Sequence, residues 1–321
     1  MKKGKLLSFI VFTLILSLMA GCSGNIDQAS GTDEGADGGE DKLKIGVSYQ
    51  NLQNEFIINI QNALNDKAEE LGIELIESDG QGKAEEQIAH IENFISQKVD
   101  AIILNPYDKF GTVPAVEKAV AADIPIIIVN SQVDNLEKAT AFVGSDDVIA
   151  GELEMEYVAK KLGGEGNVAI IHGPNGNSAE IGRTEGNKNV LEQYPDINVV
   201  AEQTANWDRA QALSLVENWL QSHDDISAIV AQNDEMALGA YNTVEAAGKE
   251  DEIIVVGIDA IPDALNSVGD GKLAATVFQD GYGQGEAAFE VAVKAARGEE
   301  VEDTTYIPFQ LVTQENLDEF K

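Results

Sequence analysis

From residue 43 to the end of the chain, short apolar runs alternate with segments whose apolar side chains recur at helical spacing, and few folds satisfy such an alternation. Residues 43–49 (LKIGVSY) have the composition of a strand, and Phe56, Ile57, Ile60, Ala63, Leu64 and Leu71 then mark one face of a helix over 54–71. The pattern continues as strand 73–76, helix 83–97, strand 101–104, helix 113–122, strand 125–129 and strand 139–144. A second series runs helix 148–162, strand 167–171, helix 179–193, strand 198–203, helix 208–221 and strand 226–231. Helix 235–247, strand 253–258, helix 262–268, strand 274–278, helix 285–297 and a tail strand near 306–311 complete it. Strands joined by helical crossovers are parallel and wind right-handed. Runs such as PIIIV at 125–129 suit strands covered on both faces. The expected class is α/β, with two doubly wound parallel-sheet domains.

At 321 residues the chain is long enough for two cores. Its formal net charge of −35 repels polyphosphate, so nucleic acid is not expected as a partner. Residues 1–5 are basic and residues 6–20 apolar, which is short of the roughly 20 residues of a membrane span but suits a signal-peptide core. Residues 18–22 (LMAGC) resemble a bacterial lipobox, in which the leader is cut before a cysteine that then carries the lipid. Residues 1–21 are therefore expected to be a lipoprotein signal peptide and Cys22 the lipidation site, holding the protein on the outer face of the cell membrane. An ordinary secreted protein with an incidental cysteine, or an uncleaved anchor, is the alternative. Residues 22–42, rich in Gly, Ser, Asp and Glu, have the composition of a flexible acidic tether. Cys22 is the only cysteine, so no internal disulfide braces the fold.

Six of the strands run into polar stops: Tyr49-Gln50-Asn51, Asn105-Pro106, Asn130-Ser131, Gly173-Pro174-Asn175, Asn233-Asp234 and Asp259. In open α/β sheets ligands bind at the carboxyl ends of strands, and amides and carboxylates gathered there can hydrogen-bond a molecule with many hydroxyls. Flat rings complement them by covering the C–H faces of a polyol. Phe56 and Trp207 are the candidates, with Tyr49 and Tyr282 behind them; core packing is the other reading of Phe56. Arg183 offers a fork of five N–H donors, unless it is simply solvated. His90, His172 and His223 lack partners at metal-ligand spacing, so no metal is expected. Gly163-Gly164-Glu165-Gly166 precedes a strand and suits a helix end. Gly281-Tyr282-Gly283-Gln284-Gly285 lacks the spacing of a dinucleotide loop. With no nucleophile elbow and no acid pair, the residues point to a binding protein without cofactor and not to an enzyme.

AQNDEMALGA (231–240), VVGID (255–259), DGKLAATV (270–277), TANWDR (204–209) and NSAEIGR (177–183) together closely resemble the ribose-binding branch of the type I periplasmic sugar-binding proteins. The resemblance covers essentially everything from residue 43 onward. It implies two lobes joined by a hinge of three crossings, near 145–147, 279–280 and 306–308, with residues 43–146 plus 280–306 in one lobe and 147–279 plus 307–321 in the other. It further implies a monomer that closes on a monosaccharide or polyol and delivers it to ABC permease subunits. By position, the family contacts fall on Asn54, Phe56, Asn105, Asn130, Arg183, Trp207, Asn233, Asp259 and Gln279; Asn54 and Gln279 rest on the resemblance alone. Three departures set the chain apart from ribose binders. Phe56-Ile57 stands for two consecutive Phe, Asn130-Ser131 for an Asp-Arg pair, and Ile258 for a Phe. Losing two charged contacts costs ribose a factor of about 10² to 10³ in affinity. Another pentose, a hexose, a furanose form or a cyclic polyol fits as well.

A sensory receptor feeding a membrane kinase or chemoreceptor would share this body. A ligand-responsive repressor would need an N-terminal helix-turn-helix where this chain has its leader and tether.

Overall fold

The computed structural model describes residues 42–321; the expected signal peptide, the expected lipidation site Cys22 and all but the end of the expected tether lie outside them. The first series is β1 (Lys44–Tyr49), α1 (Glu55–Leu71), β2 (Glu74–Asp79), α2 (Ala84–Gln97), β3 (Ala101–Leu104), α3 (Val113–Ala121), β4 (Ile126–Asn130) and β5 (Ala141–Gly144). The second is α4 (Asp147–Lys161), β6 (Glu165–His172), α5 (Ser178–Leu191), β7 (Asp196–Thr204), α6 (Arg209–Ser222), β8 (Ala228–Ala231), α7 (Asp234–Ala246), β9 (Ile254–Asp259), α8 (Pro262–Gly269) and β10 (Ala275–Phe278). Helix α9 (Gly281–Ala296) and strands β11 (Thr304–Tyr306) and β12 (Gln310–Val312) follow.

The strands form two sheets of six, ordered β2-β1-β3-β4-β5-β11 and β7-β6-β8-β9-β10-β12. All neighbours are parallel except β12, which runs antiparallel to β10. Central strands β3, β4 and β8 are buried along their whole length, as their Ile/Val/Ala composition requires of strands with helices on both faces. Edge strands β2 and β7 carry the polar residues. In both sheets the order reverses between the first and third strands of the series, β1/β3 and β6/β8, which puts a crevice at each point.

Two expectations need correction. The single tail strand near 306–311 is two strands, one in each sheet, because Ile307 to Phe309 carry the chain from one sheet edge to the other. Helix α9 also begins at Gly281, a turn earlier than the apolar spacing suggested, since the Asp280 carboxylate caps it by accepting from Gly283 N.

Helices α4 and α5 pack backbone to backbone. A methyl group at Gly186 would lie 2.1 Å from the Val148 carbonyl oxygen, and one at Gly151 2.2 Å from that of Arg183. This contact fixes the helix that carries Arg183. Replacing Gly186 by Ala is expected to cost about 1–3 kcal/mol of stability, read by urea unfolding; a loss below about 0.5 kcal/mol would mean that the helices part freely.

Candidate functional site

The carboxyl ends of the two sheets face each other across a narrow cleft with ≈ 280 Å³ of space between the protein atoms, part of it open to solvent. From the first sheet's side it is lined by Gln50, Asn54, Phe56, Ile57, Asn130 and Ser131, and from the second's by Asn177, Ala179, Arg183, Trp207, Asn233 and Asp259, with Gln279 between β10 and α9. Larger hollows exist, such as a ≈ 1470 Å³ groove along Tyr157, Lys160 and Leu273, but that one lies where β9 and β10 begin, away from the switch points.

Eight of the nine residues expected at the site line this cavity. Asn105 does not. Its side chain is fully buried one layer behind, where Oδ1 accepts from Gln50 N and Nδ2 donates to Val129 O and Asn130 Oδ1. Its amide is consumed in tying the ends of β1, β3 and β4 together. Of the secondary aromatic candidates, Tyr49 is buried and donates to Glu77 Oε1 at 2.6 Å, and Tyr282 is exposed and donates to Asp66. Neither reaches the cavity. Phe56 is both things the sequence allowed, 4% exposed with its ring against Gly281 and yet part of the cavity wall.

Local structure explains the asparagines. Asn54 and Asn233 are N-caps whose Oδ1 accepts from Phe56 N and Met236 N. Capping occupies the oxygen and leaves Nδ2 as a donor. Asn233 Nδ2 and Gln279 Nε2 are buried and have no protein partner. A buried N–H without an acceptor is costly, so both are matched to something that enters the cavity. Strain gathers here as well: Asn130, Trp207 and Asp259 have φ of 65°, 61° and 128°. The Trp207 indole lies against Gly173, where even a methyl group would fall 2.1 Å from the ring.

Arg183, 3% exposed, organises the second wall. Its Nε donates to Asp147 Oδ1 at 3.0 Å, Nη1 to the Gln232 carbonyl and Nη2 to Gln279 Oε1 at 3.0 Å. Asp259 Oδ1 stands 3.9 Å from Nη1, and the guanidinium lies 5.5 Å from the Trp207 ring centre. Burial pushes the carboxyls of Asp147, Asp234 and Asp259 above their ordinary range, and Arg183 pulls each back. One guanidinium thus serves three acids. Asp147 and Asp234 have internal donors, in Arg183 and in Thr276 with Ile261 N, whereas the Asp259 carboxylate accepts no hydrogen bond from the described residues. It is open to hydroxyl donors from a ligand.

Residues at the end of β3 and after β4 meet the start of α5 directly. Asn177 Nδ2 donates to Tyr107 O at 2.8 Å and to Gln50 Oε1 at 3.3 Å, Lys109 N to Gly176 O at 2.8 Å, and Gln132 N to Ser178 Oγ at 2.6 Å. Sequence reasoning missed Asp147 and the closing role of Asn177. Asp147 gave only the ordinary signal of an acid in a helix first turn, and Asn177 only that of an N-cap.

The sequence matches the family described as periplasmic binding protein domain over residues 45–300. It is similar to an ABC transporter solute binding protein from Bacillus halodurans C-125 solved with bound myo-inositol, with 49% identity, a TM-score of 0.84, and coverage of 87% of this chain and 97% of that one. It is similar to the Caulobacter myo-inositol binding protein bound to myo-inositol, at 30% identity and TM-score 0.83, covering 86% of this chain and 95% of that one. The ribose import binding protein RbsB of Bacillus subtilis is 35% identical over 95% of this chain and 98% of its own length.

Behind Arg183, Glu154 and Asn187 form a sealed pair. Asn187 Nδ2 donates to Glu154 Oε1 at 3.0 Å, while Glu154 Oε2 and Asn187 Oδ1 have no other partner. Burial disfavours the charged form and pushes this carboxyl up to about 8. The folded state therefore binds the proton more tightly than the unfolded chain, whose Glu titrates near about 4.3. Stability from this pair is complete at low pH and is lost as pH rises from that value through about 8. Glu154→Gln, which has no charged form to bury, is expected to flatten that decline in urea unfolding between pH 5 and pH 8; an unchanged slope would show Glu154 ionised in the fold.

Proposed function

The chain belongs to the periplasmic binding protein domain family, and with a ribose import binding protein and an ABC transporter solute binding protein among its relatives we propose that it is the extracytoplasmic receptor of an importer for a cyclic polyol, with myo-inositol the first candidate. The observation that carries this reading is the unsatisfied set on the second wall: Asp259 as acceptor, with Asn233 Nδ2 and Gln279 Nε2 as donors, beside Arg183. A cyclitol carries a hydroxyl on every ring carbon, so it can both donate to Asp259 and accept from the amides. The opposite wall is neutral at Asn130 and Ser131, where ribose binders carry a charged pair, and this favours a ligand other than ribose. The relative solved with myo-inositol at 49% identity points the same way.

In this reading residues 43–146 with 280–306 and residues 147–279 with 307–321 close as two bodies about the three crossings. Closure completes the cavity, and the ligand favours the closed form by its greater affinity for it. Two acyl chains on Cys22, at about 0.8 kcal/mol per buried methylene, hold the receptor at the membrane after residues 1–21 are removed, and residues 22–42 let it stand off as a monomer. No helix among the described residues is long and apolar enough to cross a membrane.

Titration calorimetry tests the reading. The protein is expected to bind myo-inositol and to bind ribose about 10² to 10³ times more weakly; equal or tighter binding of ribose, or silence toward myo-inositol, rejects it. Asp259→Asn is expected to weaken the polyol about 10- to 100-fold, as loss of hydrogen bonds to a charged acceptor does, with the unfolding midpoint preserved or raised.

A further inference from the structure

The cavity's two rims are built differently. On one, the segment Gly176–Ser178 is hydrogen-bonded directly to Tyr107, Lys109 and Gln132. On the other, residues 50–54 and 81–82 face residues 206–211, and no hydrogen bond or ion pair joins these segments among the described residues. Between them runs a groove of ≈ 1090 Å³, partly open to solvent, which shares Gln50, Asn54 and Trp207 with the inner cavity.

We propose that this groove is an outer subsite and that the natural ligand is an uncharged glycoside, with the polyol ring in the cavity and a second sugar ring in the groove. The inference rests on the polyol reading of the inner cavity. Four observations carry it. The groove shares Gln50, Asn54 and Trp207 with the cavity as a common wall, so a substituent on the buried ring that leaves past them need not prise the hydrogen-bonded rim apart. Its walls are amides: Asn51, Gln53 and Gln81 on one side, Asn206 and Gln211 on the other, with the Tyr107 and Trp207 side chains among the lining. That combination of amides and flat rings is the one that receives a sugar. The charges present are already spent, since Arg209 is held by Glu235 at 2.7 Å and Asp263 at 3.2 Å, and Asp208 caps α6 through Gln211 N. The groove thus has little to attract an anionic substituent. The Gln53 and Gln81 side chains make no hydrogen bond within the described residues, so nothing internal competes for them.

The test is calorimetry of the purified full-length protein with myo-inositol and with a set of mono-galactosylated myo-inositols, one for each distinct ring oxygen. At least one of the set is expected to bind as tightly as myo-inositol or more so. The double variant Gln53→Ala/Gln211→Ala, one change on each wall and both outside the inner cavity, is expected to weaken that glycoside about 10-fold and leave myo-inositol unchanged. Binding of myo-inositol with every glycoside excluded overturns the outer subsite and leaves the polyol receptor standing. A variant that lowers both ligands alike, or neither, also overturns it. Binding of a glycoside without myo-inositol upholds the outer subsite and rejects the free cyclitol as ligand; silence toward all of them removes both readings.

Discussion

A guanidinium sealed from water is tolerated only where its charge and its donors are met, and Arg183 meets that condition by drawing on four parts of the chain. Asp147 comes from the start of α4, the Gln232 carbonyl from the end of β8, Gln279 from the segment after β10, and Asp259 from the end of β9. Glycines at the α4–α5 contact let α5 come close enough to place it. Shift any of the three hydrogen-bond partners and a buried donor is stranded. The same demand explains why three carboxylates cluster at a site built for uncharged molecules: they balance and orient the arginine, and of the three only Asp259 lines the cavity.

Much of the fold was legible because each segment had one physical demand to satisfy. Apolar runs such as IIIV had to be covered on both faces, and polar stops such as Asn233-Asp234 had to end strands and start helices. The site was legible for a related reason. An asparagine at such a junction does two jobs at once, capping a helix with its oxygen and presenting its nitrogen, so the local signal for a turn is also the signal for a ligand donor. For Asn233 the two readings were never in competition, whereas Asn54, an N-cap of the same kind, was reached through the resemblance alone.

What the sequence concealed depends on depth and on partners remote along the chain. Asn105 ends a strand as Asn130 does, yet sits one layer deeper, and only the register of three strands decides which amide faces inward. Tyr49 looks like a stacking ring until Glu77, on the neighbouring strand, takes its hydroxyl. Asp147 carries no mark of its salt bridge, since its arginine lies 36 residues on. The tail looked like one strand because no local pattern tells a chain which sheet edge is unfilled.

That tail has a consequence for the order of assembly. The helix that covers the first sheet, α9, and its edge strand β11 are made only after the whole second series has emerged, whereas the second sheet lacks only β12 at that moment. The portion translated later is thus free to consolidate earlier, and the portion translated first waits for distant partners, 216 residues away where Tyr282 of α9 meets Asp66 of α1. Contacts of such separation close slowly. Until they close, the amino-terminal half has its apolar helix face open to solvent, or to whatever holds the chain on its way out of the cell.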